Sequence, residues 1–289
     1  MFNPADASSR IKDEFVDYLS TTFSIADEDY YSQFVEKLHK SGAISKGPLI
    51  EINDIFKCGH SIEFLYNNNI LSKLFAAIEA TKSNIAPYKR KLPVTRPLYL
   101  HQEKAIDVIT TKKLNAVITT GTGSGKTECF LIPIINELLR EKERGTLSKP
   151  GVRAILIYPM NALANDQMKR LRELLMFFPD ITFGVYNGDT KKEEAEARAQ
   201  YIDLHSRETC EELRTPLNNE YISRDKMNET PPHILCTNYA MLEHMMLRPD
   251  NDKIFTNSNF KFVVLDEAHI YTGATGMETA LLLRRLKAR

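Results

Sequence analysis

The sequence predicts an α/β fold: a parallel β-sheet flanked by helices and preceded by a small helical N-terminal domain. Three observations lead there. Apolar residues recur at helical spacing up to about residue 85. After that, short β-branched runs alternate with amphipathic helical stretches, the grammar of parallel strands joined by crossover helices. One of those runs ends in a glycine-rich loop that opens directly into a helix.

In chain order, the leader carries Ile11, Phe15, Leu19, Phe34, Leu38, Phe64, Leu65, Leu71, Leu74, Phe75 and Ile78, with interruptions at Gly47-Pro48 and Cys58-Gly59. The basic stretch from Pro87 to Pro93, bounded by helix-breaking prolines, reads as a linker, which places the boundary near residue 90. The domains expected are therefore a helical region over 1–90 and a sheet domain over 91–289. Strands are expected at Leu114 to Thr119, Arg153 to Tyr158, Ile181 to Tyr186, His233 to Thr237 and Lys261 to Leu265. Phe262-Val263-Val264-Leu265 lacks the alternation of a half-exposed strand and is expected to carry helices on both faces. The segment from Lys191 to Glu229 is charged and reads as strand-free, with a surface helix starting at Lys191-Lys192-Glu193-Glu194.

Composition narrows the class. The chain has 289 residues, 43% hydrophobic and 26% charged, which excludes a disordered or collagen-like chain. Lys plus Arg and Asp plus Glu number 38 each, so affinity for a polyanion must come from a local patch. The four cysteines, Cys58, Cys129, Cys210 and Cys236, form no CxxC pair, and no zinc site is expected. The N-terminus is polar and acidic, and no run reaches the roughly 18 apolar residues of a membrane span. A cytoplasmic protein with no membrane partner is the expectation.

The chemistry is concentrated at two places. Thr120-Gly121-Thr122-Gly123-Ser124-Gly125-Lys126-Thr127 lies between an expected strand and the helical run Glu128 to Arg140. In such a loop glycines turn backbone N–H groups toward phosphate oxygens, the helix N-terminus adds partial positive charge, and a lysine meets the β and γ phosphates. Thr127 would offer its hydroxyl to Mg²⁺. The strict pattern has glycine where this chain has Thr120. At the end of the most apolar strand stands Asp266-Glu267-Ala268-His269. A carboxylate at the C-terminal end of a parallel strand faces the ligand crevice, so Asp266 suits Mg²⁺ and Glu267 suits an attacking water. Read alone the four residues could merely cap a strand; paired with the glycine loop they specify a Mg-nucleoside triphosphatase.

These two elements, in this order, resemble the first RecA-like domain of superfamily 2 helicases of the DEAH-box kind. Residues Asp266 to Gly276 and Leu281 to Leu286, with YPMNALANDQ and PPHILCTNYAMLEHMMLRPDN, are similar to the RecQ-related bacterial branch of mitomycin repair and phage-defence helicases. The resemblance implies ATP and Mg²⁺ as cofactors and nucleic acid as partner, with DNA favoured over RNA by the branch alone. It assigns catalytic roles to Lys126, Asp266, Glu267 and His269, and an adenine contact to Gln102 within Leu98-Tyr99-Leu100-His101-Gln102. It likens Tyr158 to Gln167 to motif Ia and Thr237 to Leu242 to motif Ib, which puts Pro159, Asn161, Gln167, Thr237 and Asn238 along a nucleic-acid backbone. Asn161 and Asn238 are also good helix caps. Asn187-Gly188-Asp189-Thr190 is a further nucleic-acid loop or simply a turn.

The family works with a second RecA-like domain whose arginine fingers complete the site, and the sequence carries no second series of that kind. Arg284, Arg285, Lys287 and Arg289 read as helix-end cations. The expectation is a motor half, weak or inactive alone, that depends on a second RecA-like domain or partner chain. A non-catalytic ATP-binding scaffold is the alternative, and a small-molecule kinase leaves the two motif-like loops without a purpose. Lys89, Arg90, Lys91 and Arg96 are a basic cluster that reads as phosphate-binding or as a solvated linker.

Overall fold

The computed structural model describes residues 3–23, 25–40, 42, 44–46, 56–80, 92–121, 123–206, 214–256 and 258–288. Thr122, Cys210, Arg289 and the stretch 81–91, which holds Lys89, Arg90, Lys91 and most of the expected linker, lie outside them. The chain divides into two compact units, 1–55 and 56–289.

The first unit holds α1 (Pro4–Thr22) and α2 (Glu28–His39). Proline at the first helical position costs α1 no hydrogen bond, and the Asn3 side chain accepts from Ala5 N. Asp27 caps α2 by accepting from the amides of Asp29 and Tyr30.

The second unit begins with β1 (Cys58–Ser61), α3 (Ile62–Asn67), α4 (Ala77–Ala80), β2 (Pro97–Tyr99), α5 (Leu100–Ile106) and α6 (Lys126–Glu143). It continues through β3 (Ala154–Tyr158), α7 (Asn161–Leu175), β4 (Phe183–Val185), α8 (Glu194–His205), β5 (Glu220–Tyr221) and α9 (Arg224–Glu229). The last elements are β6 (Ile234–Asn238), α10 (Tyr239–Leu247), α11 (Asp252–Thr256), β7 (Phe262–Leu265) and α12 (Gly273–Lys287). Strands β5-β4-β6-β3-β7 form one sheet in that order, every neighbouring pair parallel, while β1 and β2 make a separate antiparallel pair.

Alternation along the strands sends side chains to two cores. Ala154, Leu156 and Tyr158 of β3 join Ile132, Ile135 and Leu138 of α6 on one face. Ile155 and Ile157 meet Leu242, Met245, Ile254 and Leu282 on the other. Every residue of β3 is buried, as a strand covered on both faces requires. Among the described residues no helix is long and apolar enough to cross a membrane.

Three expectations need correction. The boundary falls at 55/56 instead of near 90, because Ile62, Leu65, Leu71, Phe75 and Ile78 are buried in the same core as α6 and cannot be separated from it. Cys58-Gly59 does interrupt the helices, as read, and it does so as the start of β1. Leu114 to Thr119 forms no strand: Val117 is 92% exposed, Leu114 is also exposed, and the apolar run has no ladder to pair with. As a result β7 is an edge strand: Val263 is exposed, while Phe262 and Val264 still pack on one core and Leu265 on the other. Finally, 191–229 is not strand-free. Glu220 and Tyr221 pair with Phe183 and Gly184.

Candidate nucleotide and nucleic-acid sites

Helix α6 starts at the glycine loop because Gly123 and Gly125 both take φ of 73°, a left-handed conformation that turns the chain sharply into the helix. Among the described residues no side chain caps its first turn, so its N-terminal N–H groups are left for a ligand. The substitution of threonine at 120 has a structural use: Thr120 Oγ1 lies 2.6 Å from Ser124 Oγ and ties the two ends of the loop together. Ser124 is buried, and its carbonyl bonds to His101 Nε2 at 2.9 Å.

Lys126 folds back onto the loop, donating from Nζ to the carbonyls of Thr120 (2.7 Å) and Gly121 (3.3 Å). Thr127, 7% exposed, accepts from Arg170 Nη1 at 2.7 Å, and Arg170 Nη2 donates to Glu128 Oε1 at 2.8 Å. Gln102 sits beneath the loop, 2% exposed. Its Nε2 donates to Gly125 O at 2.9 Å and its Oε1 accepts from Tyr99 N at 2.8 Å. Both ends of that amide are engaged, so adenine contact would require it to turn away from Gly125.

At the end of β7, Asp266 Oδ1 accepts from the amide of Glu267, which adopts a left-handed φ of 49°. That turn sends Glu267 away from the strand direction, and its Oε2 lies 3.4 Å from Nδ1 of the exposed His269. Burial lifts the Asp266 carboxyl above its ordinary value and the Glu267 charge adds to this, while the charges of Lys126 and Arg170 pull it back. Those two cations act on Asp266, which brings the glycine loop and the Asp-Glu-Ala-His turn into one electrostatic site. A hydroxyl, a carboxylate, an ammonium and open helix N–H groups are the donor set that Mg²⁺ and phosphate oxygens need. Tyr271, whose hydroxyl is buried without a hydrogen-bond partner among the described residues, is pushed up to about 12 by burial and by the charge of Asp266.

The loops likened to motifs Ia and Ib meet through side chains. Asn238 caps α10 by accepting from Met241 N at 2.7 Å, and its Nδ2 donates to Asn161 Oδ1 at 2.9 Å. Asn161 in turn donates to Asp189 Oδ2 at 3.0 Å. Asn161 is the first residue of α7 and does not cap it. Pro159 precedes that helix, part-exposed, and Gln167 keeps a buried Oε1 without a hydrogen-bond partner among the described residues. Thr237 is corrected as a backbone contact: it is fully buried and its hydroxyl donates to Tyr186 O at 2.8 Å, which ties β6 to the end of β4. Asn187 to Thr190 is a closed turn, with Asn187 Oδ1 accepting from the amides of Asp189 and Thr190.

Residues 99–206 match the family model of the DEAD/DEAH box helicases. The chain carries a DEAD/DEAH box helicase domain. It is 30% identical to Druantia protein DruE of Escherichia coli over 98% of this chain and 19% of that protein. It is likewise 30% identical to the ATP-dependent helicase hrq1 of Schizosaccharomyces pombe over 65% of this chain and 14% of that one. The solved structure of the DUF1998 helicase MrfA bound to DNA and AMPPNP is similar at 25% identity and a TM-score of 0.52, over 83% of this chain and 26% of that one. The chain spans about a fifth of the length of the curated relatives it matches.

Two residues at the site escaped the sequence reading, Arg170 and Tyr271. Arg170 is one cation among several on an amphipathic helix, and nothing in its spacing marks it. Tyr271 follows the acidic element closely enough that its position alone could have drawn notice.

Proposed function

We propose that this chain is the first RecA-like motor domain of an ATP-dependent DNA helicase or translocase, acting in DNA repair or phage defence. In this reading it works with a second RecA-like domain outside 91–289. The observation that carries it is the glycine loop, turned at Gly123 and Gly125 into the uncapped start of α6 with Lys126 folded over it, in a chain whose parallel strand β7 leads into Asp266 and Glu267. The family of the matched domain and the AMPPNP bound in the MrfA relative support it.

Lys126 would leave its loop carbonyls for the β and γ phosphates, and Gly121, Thr122, Gly123, Ser124 and Gly125 would line them. Thr127 and Asp266 would hold Mg²⁺, which neutralises charge building on the phosphates. Glu267 would orient the attacking water, with His269 beside it. Pro159, Asn161, Gln167 and Asn238 would follow the DNA backbone without reading bases, in line with the DNA in the MrfA structures. An arginine finger from another domain is worth about 10³ to 10⁵ in rate, so the isolated chain should bind ATP and turn it over slowly.

The test is fluorescent-ATP binding by this chain, with steady-state hydrolysis measured with and without single-stranded DNA and with Lys126→Ala alongside. Mg-dependent binding lost in Lys126→Ala is the expected result. Binding unchanged in that variant would refute the site.

A further inference from the structure

We infer that Arg170 is a positioning residue that passes nucleotide occupancy from the phosphate loop to helix α7. It holds Thr127 in the nucleotide-free state and releases it when Mg²⁺ takes that hydroxyl. The inference rests on the reading of the site proposed above.

Three observations carry it. First, Arg170 sits on the two residues that follow Lys126, with Nη1 on Thr127 Oγ1 at 2.7 Å and Nη2 on Glu128 Oε1 at 2.8 Å. A cation bound to the same hydroxyl at about 2.1 Å would face the guanidinium at short range, and the two charges repel. Second, the guanidinium has somewhere to go. Glu128 Oε2 is buried without a hydrogen-bond partner among the described residues, so turning toward Glu128 completes a two-pronged pair and satisfies an orphaned oxygen. The observed arrangement and the one turned wholly onto Glu128 would be the two discrete states that transmission between sites requires. Third, α7 begins at Asn161, bonded to Asn238 and Asp189, so one rigid helix joins the nucleotide site to the loops assigned to the nucleic-acid backbone. Nine residues of helix separate its two ends of interest by about 13 Å.

The experiment is amide hydrogen exchange over residues 161–175, with a non-hydrolysable ATP analogue in Mg²⁺ or in EDTA. Wild type, Arg170→Met and Arg170→Lys are compared, and analogue binding is followed in parallel by fluorescence. Expected is a change in α7 exchange in wild type that needs Mg²⁺ and is lost in Arg170→Met when each protein is saturated with analogue according to its own measured affinity. Arg170→Lys, which keeps the charge but offers one donor group instead of a fork, should retain part of it and stands in if the methionine variant fails to fold. A Mg²⁺-dependent change that persists in both variants overturns the proposal, as does a wild-type α7 that ignores a bound analogue. A wild type that binds no analogue refutes the nucleotide site itself, and this inference falls with it.

Discussion

At the β5 edge of the sheet the charges are sealed in. Arg172 donates to Glu220 at 2.7 Å with both side chains under 10% exposed, and the guanidinium also donates to His205 Nε2 at 2.7 Å and lies 4.9 Å over the Tyr201 ring. Tyr201 donates to the second oxygen of Glu220. At the β7 edge the charges are half in water. Lys261 reaches Glu137 and Glu141 at 2.7 and 2.8 Å with 27% of its side chain exposed, Val263 is exposed, and Glu267 is 40% exposed at the strand's end. The buried cluster fixes one arrangement, because each member is lost if a partner leaves. The open edge leaves its carboxylates reachable, and the candidate chemistry is found there. Stability and reactivity are divided between the two edges of one sheet.

Substitutions should therefore dissociate. The largest effect is expected at the open edge: Glu267→Gln should lower DNA-stimulated ATP turnover of the full-length helicase by about 10²- to 10⁴-fold. Because its side chain is partly exposed and makes no buried pair, chemical denaturation should move by no more than about 0.5 kcal/mol. Turnover near wild type would remove Glu267 from the chemistry. The sealed edge should behave in the opposite way. Arg172→Met strands Glu220 as a buried charge, and a loss of about 3 to 5 kcal/mol in urea unfolding is expected. A loss below about 1 kcal/mol would mean the cluster is no more than a surface pair.

What the sequence disclosed follows the same division. The glycine loop, the Asp-Glu-Ala-His turn and four of the five strands were readable because each depends on local chemistry: backbone turns at Gly123 and Gly125, or β-branched runs such as Ala154–Tyr158. Residues 114–119 misled because an apolar run states a tendency while strand formation needs a partner, and at this edge none pairs with it. Arg172 and Glu220 were hidden in stretches read as amphipathic or solvated, since their burial depends on residues far along the chain. The boundary near 90 failed for a related reason. Helical spacing in Phe64 to Ile78 says that one face is apolar but not that it packs on α6.

The smallest predicted effect separates the edges by pH. Burial alone would raise the Glu137 carboxyl, but hydrogen bonds from Lys261 and Arg144 and the charges of Lys261 and Lys113 outweigh it and hold the group below its usual 4.5. For an acid lowered by folding, the native state releases its proton more readily than the unfolded chain, so stabilisation is complete above the ordinary value. It drains away as pH falls through the lowered folded value. Urea midpoints taken from about pH 5 down to about pH 3 should then fall more steeply for wild type than for Glu137→Gln, whose side chain cannot titrate. High salt should narrow the gap, because Arg144 and Lys113 are mostly solvated and the attraction is screened. Equal slopes would show that Lys261 fastens β7 to α6 through Glu141 alone, leaving the open edge held by one carboxylate that is itself shared with the buried Arg153.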